Sequence, residues 1–101
     1  MKVQNMTSSN GNKVANQFII TTEEEMDSLN PELMVDVEYF QSYGSIIVRK
    51  EYGPKHNITL DSLYWNYSTT TSKYRNMFLG ETTKETKAKI KSGEYKLANL
   101  N

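Results

Sequence analysis

Several groups of side chains in this sequence are of a type and spacing suited to recognition. Five consecutive hydroxyl residues, Ser68-Thr69-Thr70-Thr71-Ser72, stand at a helix start just ahead of Lys73 and Arg75. Free first-turn amides beside two cations suit an anion such as phosphate. Helix capping accounts for one or two of those hydroxyls. No glycine-rich loop and no Lys-Ser/Thr pair occurs at the spacing that nucleotide hydrolysis requires. Immediately upstream lies Tyr64-Trp65-Asn66-Tyr67. In an extended segment Tyr64 and Asn66 face one way, and Trp65 and Tyr67 the other. Such aromatics offer a stacking platform for bases or for a partner's side chains. The plainer alternative puts Trp65 and Tyr67 in the core and Tyr64 on the surface.

Lys84, Lys87 and Lys91 fall at i, i+3 and i+7, one stripe of a helix. That stripe suits nucleic acid or an acidic protein surface, although a solvated helix face is the commoner outcome. Phe40-Gln41-Ser42-Tyr43-Gly44-Ser45 sets Tyr43 near a turn tip, a reasonable contact position. The alternative is that Phe40 and Tyr43 pin the hairpin to the core. The candidate partner-binding residues are therefore Tyr43, Tyr64, Lys73, Arg75, Lys84, Lys87 and Lys91.

Catalysis has little support. There is no cysteine, so disulfides, thiolate metal sites and Cys nucleophiles are excluded. The one histidine, His56, cannot hold zinc without several carboxylate partners. Neither an H-E-x-x-H nor a G-x-S-x-G pattern is present. Glu23-Glu24-Glu25 reads as a first-turn complement to a helix dipole. The expectation is a protein that is not an enzyme, with no cofactor and no metal, acting through its exterior.

The elements that must carry these groups follow from pattern. The 101 residues suit one domain, with residues 1–13 as a loose arm or a short first strand. Val14–Thr21 is β-branched and reads as a strand. Thr22–Leu29 reads as a short acidic helix, with Thr22 and Glu25 spaced as a capping box and Asn30-Pro31 as its stop. Met34–Gln41 and Ser45–Tyr52 read as strands joined by a turn near Gly44, or as one strand with a glycine bulge. Asn57–Asp61 follows as another strand. A helix runs from Ser68 or Thr69 to Gly80, and a second begins at the Thr82–Glu85 capping box and ends at Gly93. Glu94–Ala98 closes as an edge strand. The expected class is α+β: an antiparallel sheet of about four to five strands, two C-terminal helices on one face, and a short acidic helix after the first strand.

Charge narrows the partner. The chain carries 12 basic and 12 acidic residues, for a formal net charge of zero. Residues 1–68 hold five basic and nine acidic residues, net −4, and residues 69–101 hold seven and three, net +4. A basic second half fits a polyanion-binding face, whereas a pI of 6.6 argues against a dedicated nucleic-acid binder. Met1–Lys13 has no apolar run and no stretch nears 18 apolar residues, so neither a signal peptide nor a membrane span is expected.

The run Tyr64-Trp65-Asn66-Tyr67-Ser68-x-Thr70-Thr71-x-Lys73-Tyr74-Arg75-Asn76-x-Phe78-Leu79-Gly80-Glu81 resembles a family of small proteins common in phage and prophage genomes. So do Glu85-Thr86-x-x-x-Ile90-x-x-Gly93-x-Tyr95-x-Leu97-x-x-Leu100-Asn101, Asn16-Gln17-Phe18 and Phe40-Gln41-Ser42-Tyr43-x-Ser45-Ile46-Ile47. The resemblance covers most of the chain, with Glu23–Met34 standing out as a local insertion. It implies a phage accessory protein in the host bacterial cytoplasm and no catalytic residues. The expectation is a protein that binds and modulates a host protein, such as a CRISPR or restriction effector. The alternatives are a small nucleic-acid-binding accessory domain and a self-assembling virion component.

Overall fold

The computed structural model describes residues 1–25, 34–53 and 56–101. Its strands are β1 (Lys2–Thr7), β2 (Lys13–Glu25), β3 (Met34–Ser42), β4 (Ser45–Tyr52), β5 (His56–Asp61) and β6 (Lys96–Ala98). Helices α1 (Thr69–Leu79) and α2 (Thr83–Ser92) lie between β5 and β6. The six strands form one sheet in sequence order, β1 to β6. The class is α+β.

The sheet is mixed and larger than four to five antiparallel strands. β1 through β5 pair antiparallel, whereas β6 pairs parallel to β5. A parallel pair needs a crossover of a dozen or more residues, and the two helices between β5 and β6 supply it. Of the two readings of residues 1–13, the strand prevails, because Lys2–Asn5 pair in register with Phe18–Thr21.

The acidic helix is overturned where it can be seen. Thr22–Glu25 belong to β2 and pair with Met34–Val37 of β3. A capping-box pattern is a local preference, and here strand pairing overrides it. Glu24 shows what the strand gains. Its carboxylate accepts from Tyr39 Oη at 2.6 Å, from Thr22 Oγ1 at 2.9 Å and from Arg49 Nη2 at 3.3 Å. Burial alone would raise the Glu24 pKa, but the Tyr39, Thr22 and Arg49 contacts hold it below its ordinary value. Met26–Leu29 lie outside the described residues.

The core lies between one sheet face and the helices. Phe40, Val48 and Leu60 occupy neighbouring positions on β3, β4 and β5 and are wholly buried. Tyr74 from α1 and Tyr95 join them, with Phe78 and Ile90 packed at the margin. Phe40 and Phe78 stack with centroids 5.9 Å apart. A bulge in β4 helps fill this core. Phe40 pairs with Val48 and Gln41 with Ile46, leaving Ile47 as the extra residue. Ile47 and Val48 are therefore adjacent and both buried, which strict alternation forbids. The bulge sits there and not at Gly44, which belongs to the two-residue turn Tyr43-Gly44.

Both helices end as their sequences dictate. Ser68 Oγ accepts from the Thr71 amide, and Gly80 closes α1 at φ 69°. Thr82 and Glu85 form a reciprocal capping box, and Gly93 closes α2 at φ 86°. Among the described residues, no helix is long and apolar enough to cross a membrane.

Candidate contact surface around Tyr43 and the start of α1

Three elements meet at one end of the molecule. The Ser42 and Thr71 hydroxyls lie 2.8 Å apart and are wholly buried, tying the β3–β4 turn to the first turn of α1. Gln17 pairs with Ser42 and brings the irregular part of β2 alongside. There β2 advances from Lys13 to Phe18 while β1 moves only from Thr7 to Asn5. The surplus residues loop out, and Asn16 takes φ 65°.

Tyr43 projects from this junction, 51% exposed, at φ 56°. Left-handed backbone is uncommon for a bulky residue and costs roughly 1–2 kcal/mol. Two contacts hold it. The Tyr43 amide donates to the Asn16 carbonyl at 2.7 Å, and Gln41 Nε2 donates to the Tyr43 carbonyl at 2.8 Å. An exposed aromatic on a constrained backbone loses little further freedom on binding, which suits a contact residue.

Residues 62–67 form turns and a bend after β5, not the extended run that alternation assumed. Trp65 packs half-buried against the core as expected, whereas Tyr64 and Tyr67 exchange roles. Tyr67 is the exposed one at 47%. Tyr64 is half-buried, packs against the core and meets the Tyr67 ring edge-on at 5.3 Å. Asp61 causes the turn: its Oδ2 accepts from the amides of Leu63 and Tyr64 at 3.1 and 2.9 Å. Its Oδ1 accepts from the Leu100 amide at 2.8 Å. Burial would raise the Asp61 pKa, but these amide donors, with help from Asn101, lower it.

Arg75 corrects the sequence reading most sharply. Expected at the contact surface, it is wholly buried. Its guanidinium lies 5.2 Å from the Trp65 ring centroid and donates to the Trp65 carbonyl. It also donates to Asn66 Oδ1 at 3.1 Å, Asn76 Oδ1 at 2.9 Å and Thr83 Oγ1 at 2.8 Å. Every one of these acceptors is neutral, and none of the ion pairs among the described residues includes Arg75. Burial lowers its pKa, partly opposed by the Glu81 carboxylate. Arg75 joins the two helices to the 62–67 segment and touches no solvent.

The lysines divide. Lys73, Lys84, Lys87 and Lys91 are exposed and make no ion pair among the described residues. Lys73 Nζ lies 5.4 Å from the Tyr74 ring centroid. Lys89 differs, donating to Glu81 Oε1 at 2.8 Å. Glu81 also accepts from Tyr95 Oη at 2.7 Å and Thr86 Oγ1 at 2.5 Å. Among the described residues, no hydrogen bond or aromatic contact links the α2 lysines to Tyr43. Asn16, Asn66, Tyr67 and Thr83 stand outside the seven candidates, although Asn66 and Tyr67 belong to the aromatic run read as a stacking platform. Asn16 carried a usable signal, since asparagine tolerates positive φ.

Further along β3, a groove of about 500 Å³ opens between the C-terminal end of α1 and the sheet. Ile19, Glu38, Lys50, Tyr52, Met77 and Phe78 line it. Tyr52 Oη donates to Glu38, and Lys50 Nζ lies 5.2 Å from the Tyr52 ring centroid. Burial and then the Glu38 carboxylate push the Tyr52 hydroxyl up to about 12. Among the described residues, no group of His, Cys, Asp and Glu is placed to hold a metal.

Comparison with curated proteins gives no match, and comparison with solved structures gives none. The model of a family of unknown function (DUF8033) matches residues 1–94, and the chain belongs to that family.

Proposed function

We propose that this chain is a non-catalytic binding protein, a phage accessory factor that docks on a host protein and modulates it, with Tyr43 at the centre of the contact. The observation that carries this reading is the exposed Tyr43 ring on a left-handed backbone fixed by Asn16 and Gln41. Strained backbone at an exposed aromatic has a cost, and such cost is retained where it serves a site. The exposed ring of Tyr67, beside the start of α1, supports an extended aromatic contact. The phage resemblance supports a host defence component, such as a CRISPR or restriction effector, as the partner. The test is capture from host lysate on the immobilised chain. A stoichiometric partner is expected, and a clean negative across several salt and temperature conditions contradicts the proposal.

Lys84, Lys87 and Lys91, exposed and without an ion pair among the described residues, favour a second reading, a nucleic-acid-binding accessory domain. It expects binding to DNA or RNA that weakens steeply with salt. Absence of any mobility shift at low salt disposes of it.

A further inference from the structure

The groove beside the C-terminal end of α1 favours positive charge, and a lysine of this chain already reaches into it. Lys50 Nζ lies 5.2 Å from the Tyr52 ring centroid and 5.7 Å from that of Phe78. Two aromatic rings around one ammonium are the elements of a cation cage. Glu38 stands directly across the β3–β4 ladder from Lys50. Opposite charges in that register attract, yet no ion pair among the described residues joins these two. Glu38 Oε1 accepts instead from the Tyr52 hydroxyl, and Oε2 has no hydrogen-bond partner among the described residues.

α1 adds to the preference. Met77 and Phe78 line the groove from its last turn, and that turn carries no basic residue to offset the negative end of the helix dipole. Met6 and Ile19 give the groove an apolar floor, and Met77 at its margin is 47% exposed. A volume of about 500 Å³ lies within the range of small-molecule sites. A carboxylate, two aromatic rings and a helix C-terminus all select a cation, and the apolar floor selects a body attached to it. The Lys50 ammonium meets the first demand and not the second.

We propose that this groove binds a small organic cation, a quaternary ammonium carrying an apolar body. The ligand displaces the Lys50 ammonium from the Tyr52 and Phe78 rings, takes Glu38 as its counter-ion and lays its body on Met6, Ile19 and Met77. A lysine ammonium is a compact, strongly hydrated charge. A quaternary ammonium holds water less tightly, so it gives up less on entering the cage. The site needs no macromolecular partner, so it stands or falls apart from the role of Tyr43.

The test is an NMR titration of the full chain with benzyltrimethylammonium chloride, read at the methyl groups of Met6, Ile19 and Met77, with ionic strength held constant by sodium chloride. Saturable shifts at those methyls are expected. Lys50→Met keeps the apolar stem and removes the internal competitor, and is expected to tighten binding about tenfold. Glu38→Gln keeps an acceptor for Tyr52 and removes the counter-charge, and is expected to weaken binding about tenfold. Phenylacetate, an anion of similar body, is expected to give no saturable shift. The proposal is overturned if benzyltrimethylammonium fails to saturate both the parent and Lys50→Met, or if Lys50→Met binds it no more tightly than the parent. It is equally overturned if Glu38→Gln binds as the parent does, or if phenylacetate saturates the same methyls.

Discussion

Asn16 and Tyr43, 27 residues apart in sequence, both hold positive φ and are joined by a 2.7 Å hydrogen bond from the Tyr43 amide to the Asn16 carbonyl. Each lies where a strand departs from regular pairing, Asn16 in the loop-out of β2 and Tyr43 in the β3–β4 turn. The bond locks two irregularities together and fixes the direction of an exposed ring. Glycine adopts the same backbone without a Cβ penalty. Tyr43→Gly is therefore expected to stabilise the fold by about 1 kcal/mol, read as a raised denaturation midpoint at unchanged slope. An unchanged or lowered midpoint shows that Tyr43 bears no strain.

Gln17 lies next to this pair and is wholly buried, with neither amide atom hydrogen-bonded. Burying a polar group without partners costs about 1–3 kcal/mol. Gln17→Met, close in volume and without that demand, is expected to stabilise by a similar amount in chemical denaturation. Destabilisation beyond about 1 kcal/mol shows that the amide is satisfied in solution.

Asp61 ties the C-terminal residues to the end of β5 through its bond from Leu100. Its folded pKa is lowered, against the pull of burial, by the amides of Leu100, Tyr64 and Leu63 and by Asn101. A lowered carboxyl contributes stability that is complete above its unfolded value of about 3.9 and is lost as pH falls through the folded value. Asp61→Asn keeps the size but replaces one accepting oxygen with an amide donor that faces a backbone N–H, and is expected to cost roughly 2–3 kcal/mol at neutral pH. The variant also loses less stability than the parent across the carboxylate range, between roughly pH 5 and 2. Equal acid sensitivity in both proteins contradicts this role.

Glu81 holds Lys89, Tyr95 and Thr86 around one carboxylate. Burial, then the bond to Glu81, pushes the Tyr95 hydroxyl up to about 12. A raised phenol contributes stability that is complete below its unfolded value of about 10 and is lost as pH rises through the folded value. Glu81→Gln is expected to move one late-ionising tyrosine back toward 10 in an ultraviolet phenolate titration. A titration curve identical to that of the parent contradicts the assignment.

What the sequence disclosed was local. Ser68, Gly80, Thr82, Glu85 and Gly93 marked the helix ends, because capping depends on residues within one turn of each other. Ser45–Tyr52 carried its strand pattern in its own β-branched residues. Where local signals met tertiary ones, the reading failed. Thr22 and Glu25 have capping-box spacing, yet β3 offers them a ladder and Glu24 two distant partners, Tyr39 and Arg49. The parallel β6 depends on where two helices return the chain. Arg75 reads as a surface cation because its acceptors come from three separate segments, and its burial is visible only once they meet. Tyr43 was legible as a turn residue, whereas its positive φ was not, since tyrosine is a poor occupant of that region.

The proposed contact centres on the exposed Tyr43 ring. The most direct test is calorimetric affinity of the captured partner for the parent chain and for Tyr43→Gly. A loss of at least about 2 kcal/mol, roughly 30-fold, is expected, as for a central aromatic anchor, in a variant that is folded and no less stable. Equal affinity for the two chains contradicts it.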